Sequence, residues 1–177
     1  MENLEELLTN SQKGDKDAFG KIYHLFNKRI YRYCYFNLGN SHQAEDICQE
    51  TFLKAWKSLS SITLSAGGSL QAYLFRIARN CIIDLSRKKK ELPLEQAKNV
   101  EASDTADGNL DRQEKIREVQ LALSALKEEE KQLMILRFFE ELSFAEIAKI
   151  LNTREGALRV KAHRVLKKLK DILEQKI

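Results

Sequence analysis

The sequence predicts an all-α fold made of two small helical domains joined by a flexible linker. Only one Pro and seven Gly occur among the 177 residues, whereas Leu, Lys, Glu, Ala and Arg, which favour helices, fill long stretches. Basic and acidic residues number fourteen and nine in residues 1–90, two and seven in residues 91–114, and fourteen and ten in residues 115–177. Two basic modules that flank an acidic segment suggest two surfaces facing a polyanion.

The first domain is expected to span residues 1–90 and to begin with two amphipathic helices. Asp15 is a favourable N-cap, and the apolar positions that follow it recur at offsets of four and three through residues 19–34. Residues 39–41, Gly-Asn-Ser, are predicted to end this helix. The second helix is expected over residues 44–59, with its apolar side turned toward the first.

A loop and a third helix complete this domain in the prediction. Residues 58–69 are polar and contain two adjacent glycines, which is typical of a loop. Residues 70–85 then carry apolar side chains at offsets 0, 3, 4, 7, 8, 11, 12 and 15, a complete amphipathic stripe. This helix continues into the basic cluster at residues 87–90.

The acidic linker is expected to cover residues 91–112, where the apolar periodicity fails and the only proline, Pro93, occurs. The second domain is expected to cover residues 113–177. Its helical pattern returns near Asp111 and continues through Phe139.

A helix-turn-helix pattern gives the strongest local signal of the second domain. Ser143 and Glu146 form an S-x-x-E capping box that starts a short helix. Residues 152–156 are expected to turn the chain into a longer basic helix. The residues that this longer helix is expected to bury are Leu158, Ala162, Val165, Leu166, Leu169 and Leu173.

The outward face of the longer helix predicts DNA binding, because a short helix, a turn and a basic helix form the unit that enters the major groove. Seven basic residues and one acidic residue lie between Arg154 and Lys170. Lys161 and Arg164 suit guanine edges, Val160 suits a thymine methyl group, and the other cations suit phosphates. The alternative is a solvated basic face. The candidate DNA-binding residues are Arg154, Ala157, Arg159, Val160, Lys161, Arg164, Lys167 and Lys168.

Other functional classes find little support in the sequence. Cys34, Cys48 and Cys81 are widely spaced and are expected to be buried thiols in a reducing compartment. No cofactor or metal site is predicted, since the histidines and cysteines lack ligand spacing. A signal core and a run of membrane-spanning length are both missing, so a cytoplasmic protein is expected. P-loop, nucleophile-elbow, zinc-protease and dinucleotide fingerprints are also missing, which argues against an enzyme.

Three segments resemble the extracytoplasmic-function (ECF) sigma factors, the bacterial subunits that direct RNA polymerase to promoters. Residues 44–56, AEDICQETFLKAW, resemble the region 2 signature of this family. Residues 72–80, AYLFRIARN, followed by Asp84 and the basic cluster, are similar to its promoter-melting segment. Residues 142–148, LSFAEIA, and residues 164–169 resemble its region 4. The matches occur in the family's order and cover nearly the whole chain.

The resemblance implies roles for two surfaces of the first domain. The polar face of the second helix would dock on the clamp helices of the largest polymerase subunit; its members are Glu45, Asp46, Gln49 and Glu50. The alternative is a solvated acidic face. The third helix and the preceding loop would recognise and melt the minus-ten element, with one base flipped into the loop. The residues implied for this surface are Arg76, Arg79, Asn80, Arg87, Lys88, Lys89 and Lys90.

The resemblance also implies that the helix-turn-helix reads the minus-thirty-five element. Core RNA polymerase and promoter DNA are the implied partners, and an anti-sigma factor is expected to silence the chain. Tyr73, Ala157, Val160 and Asn152 depart from the residues common in the family, so its promoter consensus does not transfer. An autonomous regulator would explain the helix-turn-helix but not the motif around Asp46.

Overall fold

The computed structural model describes residues 3–62, 69–91 and 110–174, and every regular element in these ranges is helical, which confirms the all-α prediction. The helices are α1 (Leu4–Gln12), α2 (Lys16–Leu38), α3 (Ser41–Ser58), α4 (Leu70–Glu91), α5 (Leu110–Ser124), α6 (Glu128–Met134), α7 (Phe144–Leu151) and α8 (Glu155–Glu174). A 3-10 turn (Leu59–Ser61) follows α3, and a π-helical segment (Ile135–Phe139) follows α6. None of these helices is both long and apolar enough to cross a bilayer.

Helix α2 begins and ends where the sequence predicts. The Asp15 carboxylate accepts hydrogen bonds from the backbone amides of Asp17, at 2.9 Å, and Ala18, at 3.1 Å. These bonds satisfy donors that the first turn of a helix leaves unpaired. Gly39 ends the helix with φ +68°, a left-handed conformation that glycine adopts without strain.

Helix α1 precedes the predicted helices and was not expected from the sequence. It buries Leu7 and Leu8 in the core of the first domain. The Gln12 side chain donates to the carbonyl oxygens of Leu59, at 3.3 Å, and Ile62, at 2.8 Å. The helix therefore supports the chain at the start of the predicted loop, of which residues 63–68 lie outside the described ranges.

The core of the first domain lies between α2, α3 and α4. Tyr33 on α2 is fully buried, and its ring meets Phe75 on α4 edge-on at 5.3 Å between centroids. The apolar stripe predicted for the third helix is confirmed, with Leu74, Ala78 and Ile82 all buried. This packing positions α4 with most of its basic residues turned outward.

The three cysteines are free and buried in this core, as the sequence predicts. Burial raises the pKa of the Cys34 thiol far above its usual value and the pKa of Cys48 to about 11. Burial is also the main cause of the raised pKa of Cys81, whose sulfur lies 3.4 Å from Lys54 Nζ. All three therefore remain protonated and unreactive near neutral pH.

The second domain packs α6, the π-helical segment, α7 and α8 around apolar residues that continue the core of the first domain. Leu133, Leu136 and Ile147 are completely buried within it. The prediction for α8 is partly wrong, because Leu166 and Leu173 are 43% and 46% exposed. Both lie at the edge of the covered face of α8, which Leu158, Ala162 and Val165 define.

The predicted linker, residues 91–112, falls largely on residues 92–109, outside the described ranges. At its two ends, Glu91 is the last residue of α4, while Asp111 and Arg112 belong to α5. The boundaries drawn from the sequence thus cut one residue from α4 and the first turn from α5.

Two non-glycine residues adopt left-handed backbone conformations around α7. Asn152, which stands where the family commonly has glycine, ends α7 with φ +51°. Asparagine tolerates this conformation, so the turn is retained. Glu141 has φ +56° just before the helix, and glutamate has no such tolerance.

We expect Glu141→Gly to stabilise the second domain by about 1 kcal/mol, because glycine removes the cost of the left-handed backbone. The measurement is urea unfolding of the full chain, monitored by circular dichroism. Glu118→Gly, in the regular helix α5, is the matched control and should destabilise by about 1 kcal/mol. A loss of stability for Glu141→Gly equal to that of the control would contradict the assignment of strain.

Candidate nucleic-acid interface

The acidic face predicted on α3 is fully formed. Glu45, Asp46, Gln49 and Glu50 are all exposed on one side of the helix, opposite buried Ile47 and Phe52. Glu50 also pairs with Lys54, at 2.7 Å, one turn along the helix. Such a surface pair is weak and is easily exchanged for a partner's cation. Three carboxylates within two turns of one helix suit charge-assisted hydrogen bonds to arginine.

An aromatic groove beside this face was missed by the sequence analysis. Tyr23, Asn27 and Tyr31 from α2 line it together with Glu45 and Gln49 from α3. Partial burial, followed by the nearby Glu45 charge, raises the pKa of the Tyr31 hydroxyl. A partner that binds the acidic face therefore also contacts the aromatic side chains of the groove. The sequence motif gave no indication of this, because the residues that it assigns to the face are all polar.

The basic side of α4 divides into exposed residues and residues engaged within the protein. Arg76 stacks over the Tyr73 ring at 5.7 Å, and Tyr73 shares a 2.6 Å hydrogen bond with Ser58 at the start of the loop. Exposed Arg76 is thus oriented near Ser58, where the predicted loop begins. The other exposed residues of the predicted set are Asn80, Arg87, Lys88 and Lys90.

Two residues of the predicted minus-ten set have protein partners instead. Arg79 Nε donates to Gln132 Oε1 of α6 at 3.0 Å, and Arg79 is half-buried there. Lys89 Nζ donates to Gln43 Oε1 of α3 at 2.8 Å. Each contact uses one of the donors of its cation and holds the side chain against the protein, while the remaining donors stay available to DNA phosphates.

The helix-turn-helix has the capping geometry that the sequence predicts. The Ser143 hydroxyl accepts from the Glu146 amide at 3.2 Å, and Glu146 Oε2 accepts from the Ser143 amide at 3.0 Å. Burial alone would raise the pKa of Glu146, but the hydrogen bonds that its carboxylate accepts from the Ser143 amide and hydroxyl and from Ser69 lower it below its usual value. The start of α7 is therefore held by a cap that stays charged at neutral pH.

The outward surface of α8 is basic with one apolar centre. Val160 is 56% exposed, and exposed Arg164 and Lys167 follow it on successive turns of the helix. An exposed valine on a cationic helix suits contact with a thymine methyl group. Arg154, Ala157 and Arg159 are also exposed, and Arg159 pairs with Glu155.

Lys161 and Lys168 lie on the flank of α8 that faces α6, where each meets a glutamate. Lys161 Nζ lies 2.9 Å from Glu129 Oε2, and Lys168 Nζ lies 3.2 Å from Glu130 Oε2. The Lys161 contact lowers the pKa of Glu129, while the Lys127 backbone amide is the main cause that lowers that of Glu130. Lys161 is accordingly placed less directly for base reading than Arg164.

We expect Glu129→Gln/Glu130→Gln to tighten non-specific DNA binding by the chain about threefold to tenfold, because it frees two cations for phosphates. Fluorescence anisotropy with a duplex at several salt concentrations measures this. The salt slope should steepen by roughly one to two units. Glu114→Gln/Glu118→Gln on α5 is the control. If both double substitutions tightened DNA binding equally, the gain would come from the change in net charge and not from the release of Lys161 and Lys168.

Comparison with known proteins places these surfaces in a family. The family model for Sigma-70 region 2 matches residues 22–91, which contain the acidic face and the basic side of α4. The family model for Sigma-70, region 4 matches residues 116–169, which contain the helix-turn-helix. These matches coincide with the two helical domains of the fold.

Individual relatives agree with these matches. The ECF RNA polymerase sigma factor SigW of Bacillus subtilis is 31% identical over 96% of this chain and 98% of its own length. SigM of the same species is 30% identical over 85% of this chain and 91% of its own.

Two solved structures share the fold. CnrH in complex with the cytosolic domain of CnrY has a TM-score of 0.77 at 20% identity, over 97% of each chain. The Bartonella quintana sigma factor RpoE, in complex with the anti-sigma factor NepR, has a TM-score of 0.72 at 25% identity, over 90% of this chain and 98% of its own. With sequence identity to SigW over nearly the full length, the chain belongs to the ECF sigma factors of the sigma-70 family.

Proposed function

We propose that this chain serves RNA polymerase as an alternative sigma factor whose two domains divide the work of promoter recognition. The observation that carries the proposal is the pairing of an exposed acidic face on α3 with an exposed basic helix-turn-helix, each within its own family region. The proposed domains are residues 1–90 for region 2, 91–112 for the linker and 113–177 for region 4.

The first step assigned to region 2 is docking on core polymerase. Glu45, Asp46 and Glu50 would accept charge-assisted hydrogen bonds from cations of the polymerase clamp, and Gln49 would add neutral ones. The Tyr23 and Tyr31 groove beside them supplies apolar contact area. Charged pairs then set register while the aromatic surface contributes affinity.

The second step assigned to region 2 is opening of the minus-ten element. Unstacking a base costs a few kcal/mol, which contacts to the displaced strand must offset. Asn80 carries an amide for base edges, and the cations Arg76, Arg87, Lys88 and Lys90 suit phosphates. Arg79 and Lys89 add to this set through the donors that their bonds to Gln132 and Gln43 leave free.

Region 4 would read the minus-thirty-five element with α8 in the major groove. Arg164 suits bidentate bonding to guanine, and Val160 suits the thymine methyl group. Arg154, Arg159 and Lys167 would hold phosphates on either side and position the helix. Lys161 and Lys168 contribute after exchanging their glutamate partners for DNA.

The remaining assignments follow the same reasoning. An anti-sigma factor is inferred as a further partner, because the similar sigma factor RpoE is seen in complex with one. The chain acts by binding and performs no chemistry of its own, so it is assigned no cofactor and no small-molecule substrate. Its place of action is the cytoplasm, where polymerase and promoter DNA reside.

Run-off transcription with purified bacterial core polymerase on a promoter library tests the proposal. Transcripts that appear only when the chain is added are the expected result, and their start sites define the promoter sequence. Stable binding of the chain alone to a palindromic site, without any such transcripts, would instead indicate an autonomous regulator.

A further inference from the structure

The two domains of the chain meet at a buried ion pair whose partners come from opposite domains. The Glu140 side chain, at the end of the π-helical segment, is 0% exposed. Arg32 of α2 donates to both of its oxygens, from Nε at 2.7 Å and from Nη2 at 3.0 Å. Arg29 adds a contact from Nε at 3.2 Å and another from Nη2 to the Glu140 carbonyl oxygen at 2.6 Å.

A buried carboxylate is unfavourable unless cations and hydrogen bonds compensate it. Both cations that compensate Glu140 belong to α2, so this compensation exists only while the domains are closed. The hydrogen bond to Glu140 is also the main cause that raises the pKa of Arg32. The ion pair therefore links the position of region 4 to that of region 2.

Further contacts surround the ion pair and extend the interface. Lys131 Nζ donates to the Asn37 carbonyl oxygen at 2.7 Å. The Phe36 and Phe139 rings lie 4.6 Å apart between centroids. Arg32 Nη2 also donates to the Phe139 carbonyl oxygen at 2.8 Å. Apolar and polar contacts thus stabilise the same arrangement of the two domains.

The closed arrangement engages residues beside the surface assigned to the minus-ten element. Arg79 is held by Gln132, as described above. Ser69, where the described chain resumes after the loop, donates to Glu146 Oε1 at 3.1 Å. Gln71 donates to the same oxygen at 3.4 Å. Region 4 therefore covers one edge of α4 and the end of the adjoining loop.

Promoter geometry requires this arrangement to open. Elements centred at minus ten and minus thirty-five are about 25 base pairs apart, or roughly 80 Å along B-DNA. A compact chain of 177 residues has a radius of gyration of only about 16 Å. The closed chain is too small to contact both elements at once, whereas residues 92–109 are long enough to bridge up to about 60 Å.

We propose that Glu140, with Arg29 and Arg32, forms a latch that keeps the free chain closed and its minus-ten surface partly covered. This inference rests on the proposed function for its consequence, since the latch must open for both promoter elements to be bound. Polymerase and DNA then bind only the open fraction, and the apparent affinity of the chain is reduced by that fraction.

The direct test measures the distance between the domains in the free full-length chain. Spin labels at Glu6→Cys on α1 and His163→Cys on α8, both exposed, report on region 2 and region 4 respectively. The native thiols are buried, and labelling of the unaltered chain checks that they stay unmodified. We expect one narrow distance population in the wild type and a broad, longer one in Glu140→Gln, with an open-to-closed ratio raised at least about tenfold.

Matched variants separate the latch from a general loss of structure. Arg32→Gln changes a half-exposed residue of the opposite domain and should open the chain to a similar extent. Combining it with Glu140→Gln should add much less than a second tenfold step, because both remove the same interaction. Glu118→Gln on α5 is the control and should leave the distance unchanged. A wild-type chain already in the broad, long population would overturn the proposal.

A transcription titration then tests the consequence of opening. Glu140→Gln should reach half-maximal run-off transcription at a concentration about threefold to tenfold lower than the wild type. If Glu140→Gln opens the chain but needs the same concentration as the wild type for half-maximal transcription, the latch does not limit binding. Failure of the wild type to support any transcription would refute the proposed function and leave the distance measurement standing.

Discussion

We expect Asp46→Arg/Glu50→Arg to reduce the run-off product of sigma-dependent transcription by at least about 100-fold. Each charge-assisted hydrogen bond contributes about 1.5–3 kcal/mol, and the reversal replaces two attractions with repulsion. The measurement is run-off transcription at the concentration that gives half-maximal product with the wild type. Direct binding to labelled core polymerase should weaken in parallel.

The fold should survive this change, because both side chains are exposed on α3. The substitution also removes the Glu50–Lys54 pair, but a surface pair one turn apart contributes only about 0.5 kcal/mol. Glu114→Arg/Glu118→Arg introduces the same charge change on exposed positions of α5 and should retain transcription. Undiminished binding of the Asp46→Arg/Glu50→Arg chain to core polymerase would reject the docking assignment.

Arg164→Ala is expected to reduce transcription from promoters that depend on the minus-thirty-five element by about 10-fold to 100-fold. A bidentate contact between arginine and guanine contributes about 1–3 kcal/mol of discrimination. Sequencing of transcripts from a promoter library randomised in that element measures both the amount of transcript and the base preference at each position. The preference for one base should relax at a single position, while the other positions keep theirs.

Two lysines on the same helix distinguish base reading from general electrostatics. Lys167→Ala should weaken transcription by a similar factor for all library members, because a phosphate contact carries no sequence information. Lys170→Ala, near the end of α8 where it pairs with Glu174 at 3.6 Å, is the control and should have little effect. If Arg164→Ala lowered every library member equally, its role would be phosphate binding.

Features of the structure that depend on nearby residues were predictable from the sequence. The Asp15 cap and the Ser143–Glu146 box involve residues two or three positions apart, so their chemistry is visible in the printed order. The stripe of α4 was predictable because its period matches that of a helix. The surface residues of α3 and α8 followed from the same periodicity and occupy exposed faces, while their roles await the experiments above.

Features that depend on distant residues were not predictable in this way. Arg32 and Glu140 are 108 positions apart, and two adjacent glutamates after an apolar run give no sign that the first is buried and the second exposed. The pairing of Lys161 with Glu129 depends on how α6 crosses α8, which periodicity does not specify. Leu166 was assigned to the core for the same reason, since periodicity identifies a face but not how wide a part of it the neighbouring helices cover.

The Glu146 carboxylate divides its bonding between two tasks. Oε2 accepts from the Ser143 amide and, at 2.8 Å, from the Ser143 hydroxyl, whereas Oε1 accepts from Ser69 and Gln71 of the other domain. Separation of the domains releases only Oε1, so the cap that starts α7 remains intact. The helix-turn-helix should therefore keep its structure in a chimeric protein. If region 4 of this chain is fused to region 2 of another sigma factor, we expect the chimera to show the minus-thirty-five preference of this chain.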